Sequence, residues 1–380
     1  MISFNKPYFT EKEFENVNSS LESRLVSGDQ HYTKKCHKFI EKTFTTSKAL
    51  LTTSCSMSLD MASILLDLKE GDEVIMPSFN FVSSANSVLA KGARPVFAEI
   101  CKDTLNIDPV DIEKKIGKKT KAIFPVHYAG VSCDMDKIMD IAKINNLKVV
   151  EDAAQGVNAK YKDKYLGTIG DIGTYSFHET KNYVCGEGGA ILINCDEDLA
   201  KRAEIIREKG TNRSQFFRGE IDKYTWVDSG SSYLISDMLA AILYAQFEKL
   251  DEIQEKRKAI YEKYYNSLRE LENNGKLILP TIPNYCSSNY HIFYILLHSE
   301  EHRDSLMNYL KMNKIGAVFH YIPLHTSPMG RMLGYQLGDL PITESLSSRL
   351  LRLPIFPELS NDNIDYIIEN IYTWISKSGI

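Results

Sequence analysis

A single lysine, Lys181, lies between a short β-like run and a glycine-rich turn in the segment GDIGTYSFHETKNYVCGEGG at 170–189. Glycines such as Gly186, Gly188 and Gly189 tolerate positive φ angles and allow the backbone to approach a ligand closely. A lysine placed between a strand and such a turn can direct its amine at a bound molecule, where it can act as a nucleophile. Alternatively, Lys181 could be a solvated side chain in a surface turn, as most lysines are. Other parts of the chain must therefore show whether a ligand site lies next to it.

Two other segments carry groups that suit a charged ligand. Residues 52–58, TTSCSMS, combine hydroxyl groups with the free amides expected at the start of a helix, and together these can bind a phosphate. Helix capping would account for Ser54 or Ser56 equally well. Asp152 follows an apolar run in VVEDAAQG at 149–156, and a carboxylate buried there needs a partner, either a cationic ring nitrogen or a structural hydrogen bond.

An amine, a carboxylate and a phosphate-binding turn are the groups that pyridoxal 5′-phosphate requires. Lys181 can form the Schiff base, Asp152 can keep the pyridine nitrogen protonated, and Ser56 can help to anchor the phosphate. A nicotinamide cofactor is disfavoured because no G-x-G-x-x-G motif follows the first predicted strand, and the glycines at 167–173 have a different spacing.

Alternating apolar β runs and amphipathic helices position these three motifs. From residue 48 onward the alternation predicts right-handed βαβ units, and therefore an α/β fold with a mostly parallel sheet covered on both faces. Ligands of such sheets bind beyond the carboxyl ends of the strands, which is where the motifs fall. Helices are also predicted at 11–25 and 33–44. A change of pattern near residue 250 predicts a large cofactor-binding domain at 1–250 and a small α+β domain at 251–380.

Composition limits the class of protein. The 380 residues carry a formal net charge of −5, which argues against a nucleic-acid-binding function because such proteins show a basic balance. The seven cysteines form no CxxC pair, so the sequence predicts neither a disulfide framework nor a metal site. The amino terminus lacks a signal-peptide pattern, and no apolar run reaches the length of a membrane span. We therefore expect a cytoplasmic protein without membrane association.

Five longer segments resemble the DegT/DnrJ/EryC1/StrS family of sugar-nucleotide aminotransferases. They are PSFNFVSSANSV (77–88), PVHYAG (125–130), EDAAQG (151–156), SFHETKNYVCGEGG (176–189) and FHYIPLH (319–325), and the resemblance extends over essentially the whole chain. It implies the aspartate-aminotransferase-like fold (fold type I), with a seven-stranded, mostly parallel sheet and a smaller C-terminal α+β domain. It also implies pyridoxal 5′-phosphate as the cofactor and a homodimer with active sites at the subunit interface.

The resemblance assigns roles to individual residues. Lys181 matches the lysine that bonds covalently to the cofactor, and Asp152 matches the partner of the pyridinium nitrogen. The other implied cofactor contacts are Phe81 at the pyridine face, Gln155 near the phenolic oxygen, and Ser56, Met57 and Ser176 at the phosphate. The implied contacts of the sugar nucleotide are His320, Tyr321 and His325.

Two positions depart from the family pattern. Cys55 and Ser56 replace the usual Gly-Thr phosphate turn, and cysteine adopts positive φ less readily than glycine. Ser232, Tyr233 and Leu234 replace an Asn-Tyr-Arg segment that the neighbouring subunit often supplies. The resemblance therefore does not imply a cross-subunit phosphate contact from this segment.

Within the family, residues 176–182, 207–219 and 223–237 are most similar to members that aminate C4 of dTDP-4-keto-6-deoxy-D-glucose. The implied reaction takes the amino group from L-glutamate and gives dTDP-4-amino-4,6-dideoxy-D-galactose and 2-oxoglutarate, for surface-polysaccharide synthesis. Arg213, with its basic neighbours in 207–219, is a candidate contact of the diphosphate or of glutamate carboxylates, because guanidinium groups bind both anions as a fork. A solvated loop or a dimer contact is the alternative.

The sequence leaves other functions to be considered. A related sugar-nucleotide aminotransferase could act at C3 or on a different nucleotide sugar. A dehydratase that uses the same cofactor is disfavoured, because the known variant of that kind carries histidine at the position of Lys181. A cofactor-binding regulator without turnover is disfavoured because neither terminus offers a basic helix-turn-helix segment.

Overall fold

A computed structural model describes residues 1–194 and 196–378, so Cys195 and residues 379–380 lie outside the described ranges. The helices are α1 (Glu11–Ser23), α2 (His31–Phe44), α3 (Cys55–Leu65), α4 (Val82–Leu89), α5 (Pro109–Lys115), α6 (Met135–Ile144), α7 (Glu197–Arg207), α8 (Arg213–Phe217), α9 (Asp237–Phe247), α10 (Leu250–Asn273), α11 (Glu300–Met312), α12 (Pro328–Met332), α13 (Pro341–Arg349) and α14 (Asn361–Ser378). The strands are β1 (Lys48–Thr52), β2 (Glu73–Pro77), β3 (Arg94–Ala98), β4 (Thr120–Ile123), β5 (Lys148–Asp152), β6 (Lys160–Tyr161), β7 (Lys164–Tyr165), β8 (Ile172–Ser176), β9 (Gly189–Ile193), β10 (Cys286–Ser287), β11 (Phe293–Leu296) and β12 (Leu350–Leu353). Within these ranges no helix is long and apolar enough to cross a membrane.

Seven strands form one sheet, in the order β1-β9-β8-β5-β4-β2-β3. Strands β8, β5, β4, β2 and β3 pair in parallel, whereas β9 runs antiparallel to both of its neighbours, β1 and β8. The prediction of a mostly parallel sheet is therefore confirmed. Because β1, β5 and β8 run in the same direction, their last residues, Thr52, Asp152 and Ser176, lie at one edge of the sheet.

Helices cover both faces of this sheet, as its continuously apolar strands require. Leu51 and Val149 belong to a core on one face, and their neighbours Leu50 and Val150 belong to a core on the other, because successive strand residues point to opposite sides. Helix α3 begins just beyond the end of β1, where the Ser54 hydroxyl accepts a hydrogen bond from the Met57 N–H at 3.3 Å. The amino terminus of α3 therefore lies at the edge of the sheet that collects the polar motifs.

The two predicted N-terminal helices are present, but α1 exposes most of its apolar residues. Phe14 and Leu21 are 68% and 50% exposed, whereas Asn16 and Ser20 on the same helix are buried. Asn16 donates from Nδ2 to the Ala241 carbonyl oxygen at 3.3 Å, which ties α1 to α9. Val17 packs against the core, but packing among the described residues does not account for Phe14 and Leu21.

The C-terminal part of the chain has a hydrophobic core of its own. The antiparallel pair β11 and β12 contributes to this core together with α11, α14 and the residues of α10 from Ile260 onward. The core of the large sheet reaches Ile253 in the same helix. Because α10 begins at Leu250 and spans both cores, we keep the division into 1–250 and 251–380 as a proposal.

Candidate active site

A cavity of about 560 Å³ lies at the edge of the sheet where β1, β5 and β8 end. The predicted site residues that line it are Ser56, Phe81, Asp152, Gln155, Ser176, Lys181, His320 and Tyr321. They come from two strand ends, the start of α3, the residue before α4, the turn after β8 and the segment between α11 and α12. The parallel topology thus brings together groups that are far apart in the sequence.

Lys181 lies in the turn that leaves β8, where its backbone N–H donates to the His178 carbonyl oxygen at 2.9 Å. No hydrogen bond or ion pair from the described residues occupies its amine. Burial lowers the pKa of this lysine from the ordinary value of 10.5, although Cys55 and Asp152 act in the opposite direction. Lys181 is therefore an enclosed, unpaired amine on a cavity wall and is not a solvated lysine in a surface turn.

Asp152 ends β5 and is only 5% exposed. Its carboxylate accepts hydrogen bonds from the Ser84 hydroxyl at 2.8 Å and from the Ala154 N–H at 3.2 Å. These two contacts fix the orientation of the carboxylate on the cavity wall. Since no cationic side chain in the described ranges forms an ion pair with it, its charge is available to a cationic ligand group.

Gln155 connects the strand-end motif to the FHYIPLH segment. Its Oε1 accepts the Ala129 N–H at 2.7 Å, and its Nε2 donates to the Tyr321 hydroxyl at 3.3 Å. Tyr321 has a φ of +31°, a backbone conformation that costs free energy for a residue with a bulky side chain. Its ring lies on the cavity wall, 6.2 Å from the ring of Phe81 and 3.6 Å from that of His320 between centroids.

His320 and the neighbouring tyrosines form an uncharged part of the wall. The His320 Nδ1 and the Tyr128 hydroxyl are 2.8 Å apart and share a hydrogen bond. Burial, and then the nearby positive charges of Arg352 and Lys181, lowers the pKa of His320 well below the usual histidine value. Burial also raises the pKa of Tyr321. These side chains are therefore neutral at physiological pH and offer hydrogen bonds without charge.

Hydroxyl groups collect where α3 meets the cavity. The Ser56 and Ser83 hydroxyl oxygens are 2.6 Å apart, and Ser176 lies at the end of β8. Together with the first N–H groups of α3 they are groups of the kind that can bind an anion. Cys55 is the first residue of this right-handed helix, so its presence in place of glycine requires no positive φ. A Cβ atom on Gly189 would lie 2.4 Å from the Cys55 nitrogen, which explains the glycine at that point.

Two of the predicted contacts, Met57 and His325, lie outside the cavity wall. Met57 is 37% exposed, and its N–H is taken up by the cap at the start of α3. His325 is buried between the Ser78 hydroxyl, 2.7 Å from Nδ1, and the Glu344 carboxylate, 2.8 Å from Nε2. In this arrangement His325 ties the loop after β2 to α13 and presents no free nitrogen to a ligand.

The three arginines of 207–219 are neutralised within the chain. Their ion pairs are Arg207 with Asp29 at 2.5 Å, Arg213 with Glu208 at 3.5 Å, and Arg218 with Glu204 at 2.9 Å and with Glu220 at 2.6 Å. None of the three arginines lines the cavity of its own chain. The structure therefore does not bring Arg213 to the other predicted substrate contacts.

Among the cavity-lining residues that no motif indicated, three carry titratable side chains: Arg257, His291 and Arg352. Arg352 is the one charged residue in the apolar segment LLRLPIF at 350–356, which is a signal that could have identified it. Arg257 lies one helical turn after Ile253 on the buried face of α10, where helical periodicity predicts an apolar residue. His291 has no comparable signal in the sequence.

The groups in the cavity fit pyridoxal 5′-phosphate. The Lys181 amine, the Asp152 carboxylate and the hydroxyl of Ser56 border the same space, which at about 560 Å³ is in the range of small-molecule sites. Asn80 adds an unsatisfied donor, because its Oδ1 accepts the Phe81 N–H at 2.7 Å whereas its Nδ2 is buried without a partner in the described ranges. An acceptor on a bound ligand would satisfy that group.

Comparison with known proteins gives the same family and cofactor. A family model described as the DegT/DnrJ/EryC1/StrS aminotransferase family matches residues 7–372. GDP-perosamine synthase of Escherichia coli O157:H7 is 36% identical to this chain over 380 residues, which cover 99% of each protein.

Solved structures of sugar aminotransferases have the same fold. The putative sugar aminotransferase Spr1654 from Streptococcus pneumoniae in its PMP form gives a TM-score of 0.93 at 25% identity, covering 99% of this chain and 100% of that one. DesV of S. venezuelae, in complex with a ketimine intermediate, gives a TM-score of 0.88 at 29% identity, covering 96% and 94%. The expected fold type I architecture is thereby confirmed. The chain belongs to the DegT/DnrJ/EryC1/StrS aminotransferase family and is a pyridoxal-phosphate-dependent sugar transaminase.

Proposed function

We propose that the protein transfers the amino group of L-glutamate to C4 of dTDP-4-keto-6-deoxy-D-glucose, giving dTDP-4-amino-4,6-dideoxy-D-galactose and 2-oxoglutarate. The observation that carries amino transfer is the unpaired Lys181 amine in the same cavity as the Asp152 carboxylate. The choice of C4 and of a dTDP sugar depends on the similarity of 176–182, 207–219 and 223–237 to family members with this substrate.

Lys181 is the proton-transfer group of the proposed reaction. When bound, pyridoxal 5′-phosphate supplies an electron sink for negative charge at the α-carbon of the donor. Because burial lowers the pKa of Lys181, more of its amine is neutral near pH 7 and able to accept the α-proton of the donor. Asp152, oriented by Ser84 and Ala154, places a negative charge where a protonated ring nitrogen needs one.

The wall formed by His320 and Tyr321 is proposed to contact the sugar. Both side chains are kept neutral by burial, so they suit the hydroxyl and keto groups of a sugar ring. The Gln155 amide holds the Tyr321 hydroxyl at 3.3 Å and so limits its rotation. Phe81, which is 56% exposed toward the cavity, offers a flat apolar face against which the cofactor ring can pack.

We propose further that the protein is a homodimer with its active sites at the interface. Helix α1 leaves Phe14 68% exposed, and the segment between α7 and α9 leaves Phe217 and Trp226 68% and 77% exposed. Several large apolar side chains exposed on one protein indicate a surface that binds another protein. The family resemblance implies that this partner is a second copy of the chain. Since Arg213 does not reach the cavity of its own chain, a contact of Arg213 with substrate would be made across this interface.

Visible absorbance of the purified holoenzyme tests the reaction. We expect the yellow absorbance of the cofactor to fall when L-glutamate is added and to return when dTDP-4-keto-6-deoxy-D-glucose follows. No change with glutamate would contradict this amino donor, and recovery only with a GDP-linked keto sugar would contradict the dTDP substrate. NMR of the product then distinguishes amination at C4 from amination at C3 and gives the configuration of the new centre.

Light scattering during size-exclusion chromatography tests the homodimer. We expect twice the mass of one chain, and a single-chain mass at micromolar concentration would contradict the proposal. A Trp226→Glu variant, which places a charge on the exposed apolar surface, is expected to shift the protein toward the monomer.

A further inference from the structure

Arg352 is a charged residue within a buried strand. Its neighbours in β12, Leu351 and Leu353, are fully buried in the C-terminal core, whereas Arg352 points the opposite way and lines the cavity. Its position is fixed by pairing with Tyr294 of β11 and by the hydrogen bond of its N–H to the Val318 carbonyl oxygen at 2.8 Å. A rigid element thus presents this guanidinium group to the cavity.

The guanidinium group of Arg352 has no counter-ion among the residues that the structure describes. Its Nη2 donates to the Phe319 carbonyl oxygen at 3.1 Å, and its Nε is buried without a partner in the described ranges. The neighbouring groups that favour its charged form are the hydroxyls of Tyr128 and Tyr321, which are neutral at physiological pH, and no carboxylate of the described residues pairs with it. A partly buried cation in this situation costs free energy until an anion joins it.

Phe4 covers one face of this group. The centroid of its ring lies 4.8 Å from the Cζ atom of Arg352. Phe4 itself is held near the cavity because Ile2 donates its N–H to the Lys314 carbonyl oxygen at 2.8 Å. The aromatic ring limits access of water to the guanidinium group, and an anion bound on the open side would therefore be attracted more strongly than in bulk water.

Arg257, which lines the same cavity, has a structural use instead. Its Nε donates to the Tyr290 carbonyl oxygen at 3.1 Å and its Nη2 to the His291 carbonyl oxygen at 2.6 Å. These bonds tie α10 to the segment before β11. Of these two cavity-lining arginines, Arg352 is the one whose Nε is buried without a partner among the described residues.

We propose that Arg352 binds a carboxylate of the amino donor. A guanidinium group donates two parallel hydrogen bonds to one carboxylate, and the unpartnered Nε is one donor of such a fork. Arg352 and Lys181 line the same cavity, so an anion held by Arg352 belongs to a molecule whose reacting carbon is close to its charge. An amino acid meets this condition because its carboxylate is bonded to the reacting α-carbon. A sugar nucleotide does not, because its diphosphate is attached to C1, across the ring from the reacting C4. This inference rests on the proposed function, because it takes the ligand to be the donor of that reaction.

Half-reaction kinetics of R352Q, R352K and R349Q holoenzymes test the inference. Arg349 is a matched control because it is an arginine close to Arg352 in the sequence that does not line the cavity. It donates to the Ser345 and Leu297 carbonyl oxygens. The rate of absorbance change against L-glutamate concentration, without sugar, gives the Kd of the donor separately from the limiting rate. Calorimetry with glutarate, which has both carboxylates and no amine, gives a Kd that requires no turnover.

We expect the Kd of glutamate and of glutarate to rise about 30-fold or more in R352Q, to rise less in R352K and to stay unchanged in R349Q. The Kd of the sugar nucleotide in the second half-reaction is expected to stay unchanged in all three variants. Equal glutarate affinity of wild type and R352Q would overturn the inference, as would an effect confined to the sugar nucleotide. If the wild type binds glutarate through Arg352 but does not react with glutamate, the proposed function fails and the carboxylate site stands.

Discussion

The cavity wall and the segment 207–219 both carry arginines, but the surroundings of these side chains differ. In the segment, each arginine has a carboxylate partner, as Arg207 has in Asp29 at 2.5 Å. In the wall, Arg352 has no carboxylate partner in the described ranges. Burial without a counter-ion is therefore a better indicator of a ligand site than the local density of basic residues.

This difference predicts two kinds of response to substitution. Residues of the cavity wall whose polar groups are unpaired should affect the reaction and leave stability nearly unchanged. Residues of the segment 207–219 whose charges are paired should affect stability and leave the reaction nearly unchanged. Each of the following substitutions tests one side of that division.

Replacement of Lys181 is expected to have the largest effect on the reaction. Lys181→Ala removes the amine that receives the α-proton, and we expect formation of 2-oxoglutarate from L-glutamate to fall by at least about 10⁴-fold. The melting temperature should change little because the amine forms no hydrogen bond with the described residues. Lys201→Ala is a control, since Lys201 is exposed, pairs with Asp198 at 3.4 Å and does not line the cavity. Appreciable turnover by Lys181→Ala would remove Lys181 from the mechanism.

The pH dependence of cofactor uptake tests the state of the same amine. Only a neutral amine attacks the aldehyde of the cofactor, so the rate should rise about tenfold per pH unit below the pKa of Lys181 and level off above it. Because burial lowers that pKa, the plateau is expected below the ordinary lysine value of 10.5. The measurement is the rate constant for reconstitution of apoenzyme with pyridoxal 5′-phosphate, followed by absorbance. A rate that still rises at 10.5 would contradict the enclosed environment of Lys181.

The structure brings the residues predicted for the cofactor end into one cavity, and the sequence could indicate this grouping because strand ends are local features. Asp152 follows an apolar strand and Lys181 follows a strand and precedes glycines, and a parallel sheet necessarily brings such ends to one edge. Arg352 and His291 were missed because they reach the cavity only through the packing of the C-terminal core, which no short pattern encodes.

The same limit explains the interpretation of 207–219. A run of basic residues indicates charge, but it does not show that Arg207 pairs with Asp29, which is 178 positions away in the chain. Helical spacing in α1 likewise predicts the helix correctly. It does not indicate whether Phe14 packs within the chain or remains exposed, and in the structure 68% of this residue is exposed. Periodicity identifies an element, whereas its partner is a property of the whole fold.

Replacement of Arg207 is expected to lower stability without slowing either half-reaction. Arg207 is 2% exposed, pairs with Asp29 and donates to the Leu51 carbonyl oxygen at 3.2 Å. Arg207→Met leaves both acceptors without their donor, which should cost about 2–4 kcal/mol and lower the melting temperature by several degrees. If the ion pair is the cause, the double variant with Asp29→Asn should lose much less stability than the sum of the losses in the two single variants. An unchanged melting temperature would show that this arginine is not structural.

Replacement of Arg218 is expected to have the smallest effect. Its side chain is 42% exposed, and its partner Glu204 keeps a second cation, Lys48 at 2.8 Å, when Arg218 is lost. Arg218→Ala should therefore cost less than about 1 kcal/mol, and less still at high salt, with no change in the Kd of glutamate. Thermal unfolding at two salt concentrations and the glutamate half-reaction measure both effects. A large loss of sugar-nucleotide binding at unchanged stability would show that a paired arginine of 207–219 still contacts a ligand. Pairing with a carboxylate would then not distinguish the structural arginines of this protein from the ligand-binding ones.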